Sequence, residues 1–304
     1  MEITVEDEGG PFFSVVGVDL DTARWTSDLT LRMVRDVDER GRERFRLLRR
    51  IGYRDSELGP IVVPAKLDWT TDLTSVPAFL TWLVPKTGAH LPAAILHDGL
   101  VLSPGEAASY YAPGRTVTRD QADRVFRDAM IATGTPIVRA WLVWAAVTAA
   151  TMFHGRQVDW GPARRWYYLA VLCLSAAAVA VLGVWSTLDL AGVETLRIGA
   201  VTATVPGVPW IGGGPVRAFL GGLAGSVVVP LALGTLWGRF RAAGWILGPV
   251  AAILLLAVLP ILFLGAVYWV AEALFRRGRL LAGICAGVVV LLATGVFALA
   301  VTGW

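Results

Sequence analysis

The sequence predicts an α+β head followed by an all-α transmembrane bundle, and three observations lead there. Hydrophobic residues make up 55% of the 304 residues, charged ones only 17%, and the mean hydropathy is +0.60, too apolar for two ordinary soluble domains. Charge is also segregated: residues 1–165 carry 20 Lys+Arg and 21 Asp+Glu, whereas residues 166–304 carry 7 and 3. Finally, the period-two alternation of strands lies in the first half, and long apolar stretches lie in the second. The formal charge of +3 and the pI near 9.1 average over two unlike solvents. They give no argument for a nucleic-acid partner.

The chain opens MEITVEDEGG, with four acidic residues and no basic ones, and no apolar run follows to form the core of a secretory signal. The head is therefore expected in the cytoplasm. Asp28 to Asp38 and Glu43 to Arg54 alternate polar and apolar residues around the turn DERGR, which predicts two antiparallel strands. A third apolar run, Ile61 to Val63, stops at Pro64 and leads through Trp69 to TDLTSVP. A small antiparallel sheet should thus come first.

Helices follow. Thr118 with Gln121 is a capping-box pattern ahead of Asp120 to Thr133, and Thr135 with Pro136 supplies an N-cap and a first-turn proline for the next helix. Trp141 to Phe153 is nearly all apolar but shorter than the roughly 20 residues that cross a bilayer, with Arg139, His154 and Arg156 around it. It is expected as a core helix whose aromatics could also face a membrane. The head is placed at 1–158 and a basic, aromatic linker at 159–166.

In 167–304, four apolar stretches, 167–186, 218–237, 245–271 and 280–303, are expected to span, and no charge interrupts them. Trp166, Trp185, Trp237, Trp245, Trp269 and Trp304 stand at their ends, where tryptophans form interfacial belts. Four crossings place five flanking arginines on each side, while a third stretch re-entering at Pro260 would place eight inside and two outside. Four crossings are the base expectation. The spans hold no midplane charge of the kind that marks an ion path, so an anchor is favoured over a channel. Cys173 and Cys285 both lie in apolar runs, which leaves no disulfide framework.

Several side chains suit chemistry. Asp72, His97, Asp98 and Asp123 could hold a divalent metal that activates water, and Ser75 could act as a nucleophile with His97 as its base. Each also has a structural explanation. Asp72 and Ser75 can fasten a loop through backbone amides, Asp120 favours the dipole of a first helical turn, and Asp123 with Arg127 is an i,i+4 pair. No Gly-x-Ser-x-Gly elbow surrounds Ser75. The expected arrangement is one polar cluster of Asp72, Ser75, His97, Asp98, Asp120 and Asp123, with no catalytic residue assigned and either metal binding or bracing as its role.

The ordered set VPAKLDWTTDLTSVP, AAILHDGL, TRDQADRVFRDAM and a last apolar helix ending in His-Gly resembles the phage-associated domain-of-unknown-function family 1353, over about residues 25–156. Such a head fused to a membrane region is similar to the membrane proteins associated with cytoplasmic contractile injection systems. That resemblance implies a multi-pass protein of the cytoplasmic membrane, its head in the cytoplasm. Its role would be an adaptor that brings a phage-tail-like particle, through sheath, cap or baseplate proteins, to the bilayer and permits contraction and cell death under stress. A homo-oligomer is compatible with it, and no cofactor is required. The alternative is a membrane-tethered metal-dependent hydrolase built on the Asp/His cluster.

Overall fold

The computed structural model describes residues 2–5, 10–16, 24–26, 29–38, 43–73, 88–101, 108–198 and 201–278, with Gly283, Gly287 and Thr294. The chain divides into two compact units, Met1–Ile253 and Leu254–Trp304.

The head holds two antiparallel sheets of four strands each. One has the order β1 (Glu2–Val5), β4 (Leu29–Val37), β5 (Glu43–Leu47), β8 (Thr70–Thr71). The other runs β3 (Arg24–Thr26), β2 (Phe12–Val16), β6 (Arg50–Asp55), β7 (Gly59–Val63). The β4–β5 hairpin forms where alternation placed it, with Val37 opposite Glu43. The run Glu43 to Arg54, however, is two strands and not one: it breaks at Leu48 and Arg49, and β6 leaves for the second sheet. There Arg50 is buried, and its guanidinium donates to the carbonyls of Pro64 and Ala65 at 3.2 Å each. A charged side chain with backbone acceptors inside the fold reads as an ordinary polar position in an alternating strand, so the pattern conceals the corner.

Among the described residues the head has three helices: α1 (Leu91–Leu100), α2 (Arg119–Ala132) and α3 (Ile137–His154). Pro92 falls in the first turn of α1, with His90 at its N-cap. α1 lies close on β7, where a Cβ on Gly99 would stand 2.2 Å from Val63 Cγ1, so only glycine permits that approach. Both halves of the α2 capping box are present. α3 starts one residue later than expected, with Pro136 as N-cap in place of Thr135. One core joins both sheets to these helices, with Phe12, Leu31, Leu47, Ile51, Ile95 and Met130 among its fully buried side chains.

After Gly161 the chain enters α4 (Pro162–Leu190), then the hairpin β9 (Thr195–Ile198) and β10 (Val201–Thr204), then α5 (Pro215–Thr235). Residues 162–166, expected as linker, are already the start of α4. Tyr167 Oη donates to the carbonyl of Leu236 at 2.6 Å, and Val208 N–H donates to Asp189 Oδ2 at 2.7 Å. The start of α4 thus meets the end of α5, and the end of α4 meets the approach to α5: the two helices are antiparallel. Trp210, just before the IGGG loop, lies on α5 where a Cβ on Gly221 or Gly225 would come within 1.7 or 2.4 Å of it.

A 3-10 turn, Gly238–Phe240, leads from α5 to α6 (Arg241–Arg277). Gly234 of α5 and Gly244 of α6 meet so closely that a Cβ on either would stand 2.8 Å from the other's backbone, and Gly248 faces Pro230 in the same way. Small residues four apart let helix backbones approach in this manner. α6 runs without interruption through Pro260, so the chain does not turn back there. The expected span 280–303 and Trp304 fall outside the described residues, apart from Gly283, Gly287 and Thr294.

Among the described residues, three helices are long and apolar enough to cross a membrane: α3, α4 and α5. α4 contains the expected span 167–186, and α5 covers the expected span 218–237 except for its last two residues. α3, at 18 residues, is longer than the stretch Trp141 to Phe153, which was expected to be too short.

Candidate functional site

Of the expected six-residue cluster, His97 and Asp123 are joined directly, with Thr151 as a third member. At its centre are His97 on α1, Asp123 on α2 and Thr151 on α3. Asp123 is fully buried; its Oδ1 lies 2.8 Å from His97 Nε2, and its Oδ2 accepts from Thr151 Oγ1 at 2.6 Å. With a carboxylate oxygen as acceptor, this bond takes the imidazole tautomer that has its proton on Nε2. The imidazole also stacks on Phe126, with centroids 4.6 Å apart and planes at 22°. Both oxygens of Asp123 are thereby engaged from the two neighbouring helices. This corrects the expected surface pair of Asp123 with Arg127. Arg127 instead bonds Asp128 and stands over the rings of Trp141 and Trp144, at 4.4 and 5.5 Å.

The other members do not bond to this trio in the contacts seen among the described residues. Asp72 follows β8 and is half-buried, beside Leu73, whose N–H donates to Thr71 Oγ1 at 2.8 Å. Ser75 is outside the described residues. Asp98 is the one residue of α1 that is not fully buried. Burial lowers the pKa of Arg119, while Asp123 and Asp98 act to raise it. Asp120, in the first turn of α2, accepts from Thr118 Oγ1 at 2.8 Å and faces the base of the apolar helices.

Among the described residues, no three His, Cys, Asp or Glu side chains are grouped closely enough to hold a metal ion. Asp72, His97, Asp98 and Asp123 do not assemble as the expected ligand set, because His97 and Asp123 spend their facing atoms on each other and on Thr151. Thr151 donates to the carboxylate, so it makes no hydroxyl–imidazole couple with His97. What the trio can do is tie α1, α2 and α3 together through a buried, hydrogen-bonded carboxyl group.

Gln157 strengthens this brace from the segment after α3. Its Nε2 donates to the carbonyls of Leu100 and Val117, at 2.7 and 2.8 Å, and its own carbonyl accepts from Arg119 N–H at 2.8 Å. The backbone there has φ +54°, a region uncommon for residues other than glycine, held by these bonds on both sides. On the far face of α2, Arg124 makes a bidentate pair with Asp55, at 2.8 and 3.0 Å. Burial pushes the Asp55 carboxyl up, but the Arg124 hydrogen bond and the amides of Leu58 and Glu57 outweigh it and hold its pKa below the ordinary value. Tyr53 beside it is pushed up to about 12, by burial and then by Asp128 and Asp55.

Residues 45–147 match the family described as Protein of unknown function (DUF1353). The match runs from β5 into α3 and includes Asp72, His97, Asp98, Asp120 and Asp123; Thr151, Gln157 and the helices beyond lie outside it. No curated protein and no solved structure matches the chain.

The second polar site is where the head meets the apolar helices. Arg239, in the 3-10 turn between α5 and α6, donates to both oxygens of Asp159 and stands 3.4 Å from Asp120 Oδ2. Its guanidinium lies over Trp160 at 4.7 Å and Phe240 at 5.0 Å. Under it, Trp160, Tyr168, Trp237 and Phe240 are buried in a second cluster with Ala145 and Met152 of α3. Trp237 turns inward here, 4% exposed, and donates to Ser175 Oγ at 3.2 Å. Trp166 and Trp269 are 69% and 71% exposed. No sequence signal pairs Arg239 with residues 80 positions away.

Proposed function

We propose that the protein is a membrane-anchored adaptor, with four spans, that holds its head at the cytoplasmic face of the cell membrane and there receives a phage-tail-like contractile particle, permitting contraction and cell death under stress. The observation that carries the reading is the junction at Arg239. Head, α4, α5 and the start of α6 belong to one compact unit, and the segment between α3 and α4 is clamped at Asp159 and Trp160 by Arg239 and Phe240. A head fixed this way passes force to the bilayer, which is what a docking platform for a contractile particle requires and what a loosely tethered enzyme does not. The DUF1353 match and the apolar helices agree with it; the particle itself enters through the resemblance of a phage-related head joined to spans. The buried trio of His97, Asp123 and Thr151 is assigned to holding the head rigid.

The test reconstitutes the full chain in vesicles and adds purified contractile particles from the same cells. Particles are expected to float with vesicles that contain the protein and to remain unbound with empty ones. Equal flotation with both, or unaltered contraction and death in cells lacking the protein, removes the proposal.

A further inference from the structure

A helix that is apolar on every side has to be covered, by protein or by lipid. α3 is such a helix. Its ionisable side chains are Arg139 and His154, and only 33% of its apolar window is buried inside the protein. The inner side is accounted for, since Ala140 and Val143 join the head core and Ala145 and Met152 join the second cluster. Uncovered aliphatic surface gathers where α2 ends and α3 begins: Ile131, Ile137 and Val138 are 38%, 61% and 69% exposed.

The neighbours of α3 indicate what covers this corner. The second cluster brings α3 together with Val171 and Leu172 of α4 and Ile246 and Leu247 of α6. Val171 and Leu172 lie in the third turn of α4, which is apolar enough to span, and Ile246 and Leu247 lie in the second turn of α6. The C-terminal half of α3, from Trp144 to Met152, therefore lies beside the first part of α4, and the corner is the other end of the same apolar helix. Arg139 is exposed beside the corner. A cation flanking exposed aliphatics is the arrangement of interfacial segments, the charge at the phosphates and the apolar side chains below.

We propose that the α2–α3 corner inserts into the leaflet that α4 enters, so that lipid covers it: acyl chains against Ile131, Ile137 and Val138, and an anionic headgroup against Arg139. The proposal rests on the reading of α4 as a span. With it, the head is pinned to the bilayer at a second point besides the Arg239 junction, which fixes its rotation about α4.

The test uses the full chain with Cys173→Ser and Cys285→Ser, in vesicles of phosphatidylethanolamine and phosphatidylglycerol. An environment-sensitive nitrobenzoxadiazole label is placed at Val138→Cys, at Val181→Cys on α4, or at Arg46→Cys on the exposed side of β5; Ile137→Cys serves as a second corner site. The labels at Val138 and Ile137 are expected to show blue-shifted emission and quenching by doxyl lipid comparable to Val181, and the label at Arg46 neither. Water-like emission at the corner with quenching at Val181 overturns the proposal and leaves the span reading standing. Blue-shifted but unquenched emission at the corner means that protein covers it, and also overturns it. Loss of quenching at Val181 overturns the span reading, and this proposal with it.

Discussion

Arg239 and Asp159, 80 residues apart, form a two-pronged pair, with Nη2 to Oδ1 at 2.8 Å and Nη1 to Oδ2 at 3.2 Å. The same guanidinium reaches Asp120 at the start of α2 and covers the ring of Trp160. One side chain in the turn after α5 thus touches the head, the segment leading into α4 and the aromatic cluster beneath.

Arg239→Ala is expected to loosen the head on its helices more than Asp159→Ala, because it removes every one of those contacts together. Both partners of the pair are partly exposed, so its share of stability is about 0–1 kcal/mol, with the ring contact adding roughly 0.5–1 kcal/mol. Arg239→Lys should rescue little, since an ammonium cannot make the forked pair and lie flat over Trp160. Distance distributions between spin labels at Arg46→Cys and Val181→Cys should broaden in Arg239→Ala and stay nearly unchanged in Asp159→Ala.

Removing the buried carboxylate of Asp123 should be costly, at about 3 kcal/mol for Asp123→Ala, because the His97 and Thr151 donors lose their acceptor inside the core. Thr151→Val should cost about 1–3 kcal/mol by leaving Oδ2 without that donor. As the two share one network, the double variant should lose less than the sum of the singles. Thermal unfolding of the three variants in detergent measures this.

Acid should weaken the head through Asp55. Its folded pKa lies below the ordinary 3.8, so its contribution is complete above that value and is lost as the pH falls from there through the folded pKa. Asp55→Asn should lower stability at neutral pH and flatten the loss of stability below about pH 4. Unfolding midpoints across this range decide it; equal slopes for variant and parent would contradict the assignment.

Gly244→Val should separate α5 from α6, since its Cβ would already stand 2.8 Å from Gly234 Cα and backbone cannot yield as a flexible side chain can. Cysteine pairs across the two helices should then cross-link more slowly. Gly222→Val, whose Cβ would meet only Leu190 at 3.5 Å, is the control expected to leave the cross-linking rate near that of the parent.

Local signals in the sequence were sufficient for the local features. Charge segregation marked the head and the apolar helices, Thr118 with Gln121 marked the start of α2, and alternation marked the β4–β5 hairpin, because each depends on residues a few positions apart. Alternation misread Glu43 to Arg54, where a buried Arg50 carries the chain from one sheet to the other, and it gave no notice of β1, β2 and β3.

The polar cluster was legible in its residue types and not in its partners. His97 and Asp123 meet across 26 positions, Asp123 and Thr151 across 28, and Arg239 and Asp159 across 80. A pair at such a distance is set by how sheets and helices pack, and periodicity along the chain carries no information about that. The sequence by itself determined which segments prefer water and which prefer an apolar phase, since transfer free energy follows from composition. Only the tertiary structure decided which charges are buried together, because burial is a property of neighbours and not of residues.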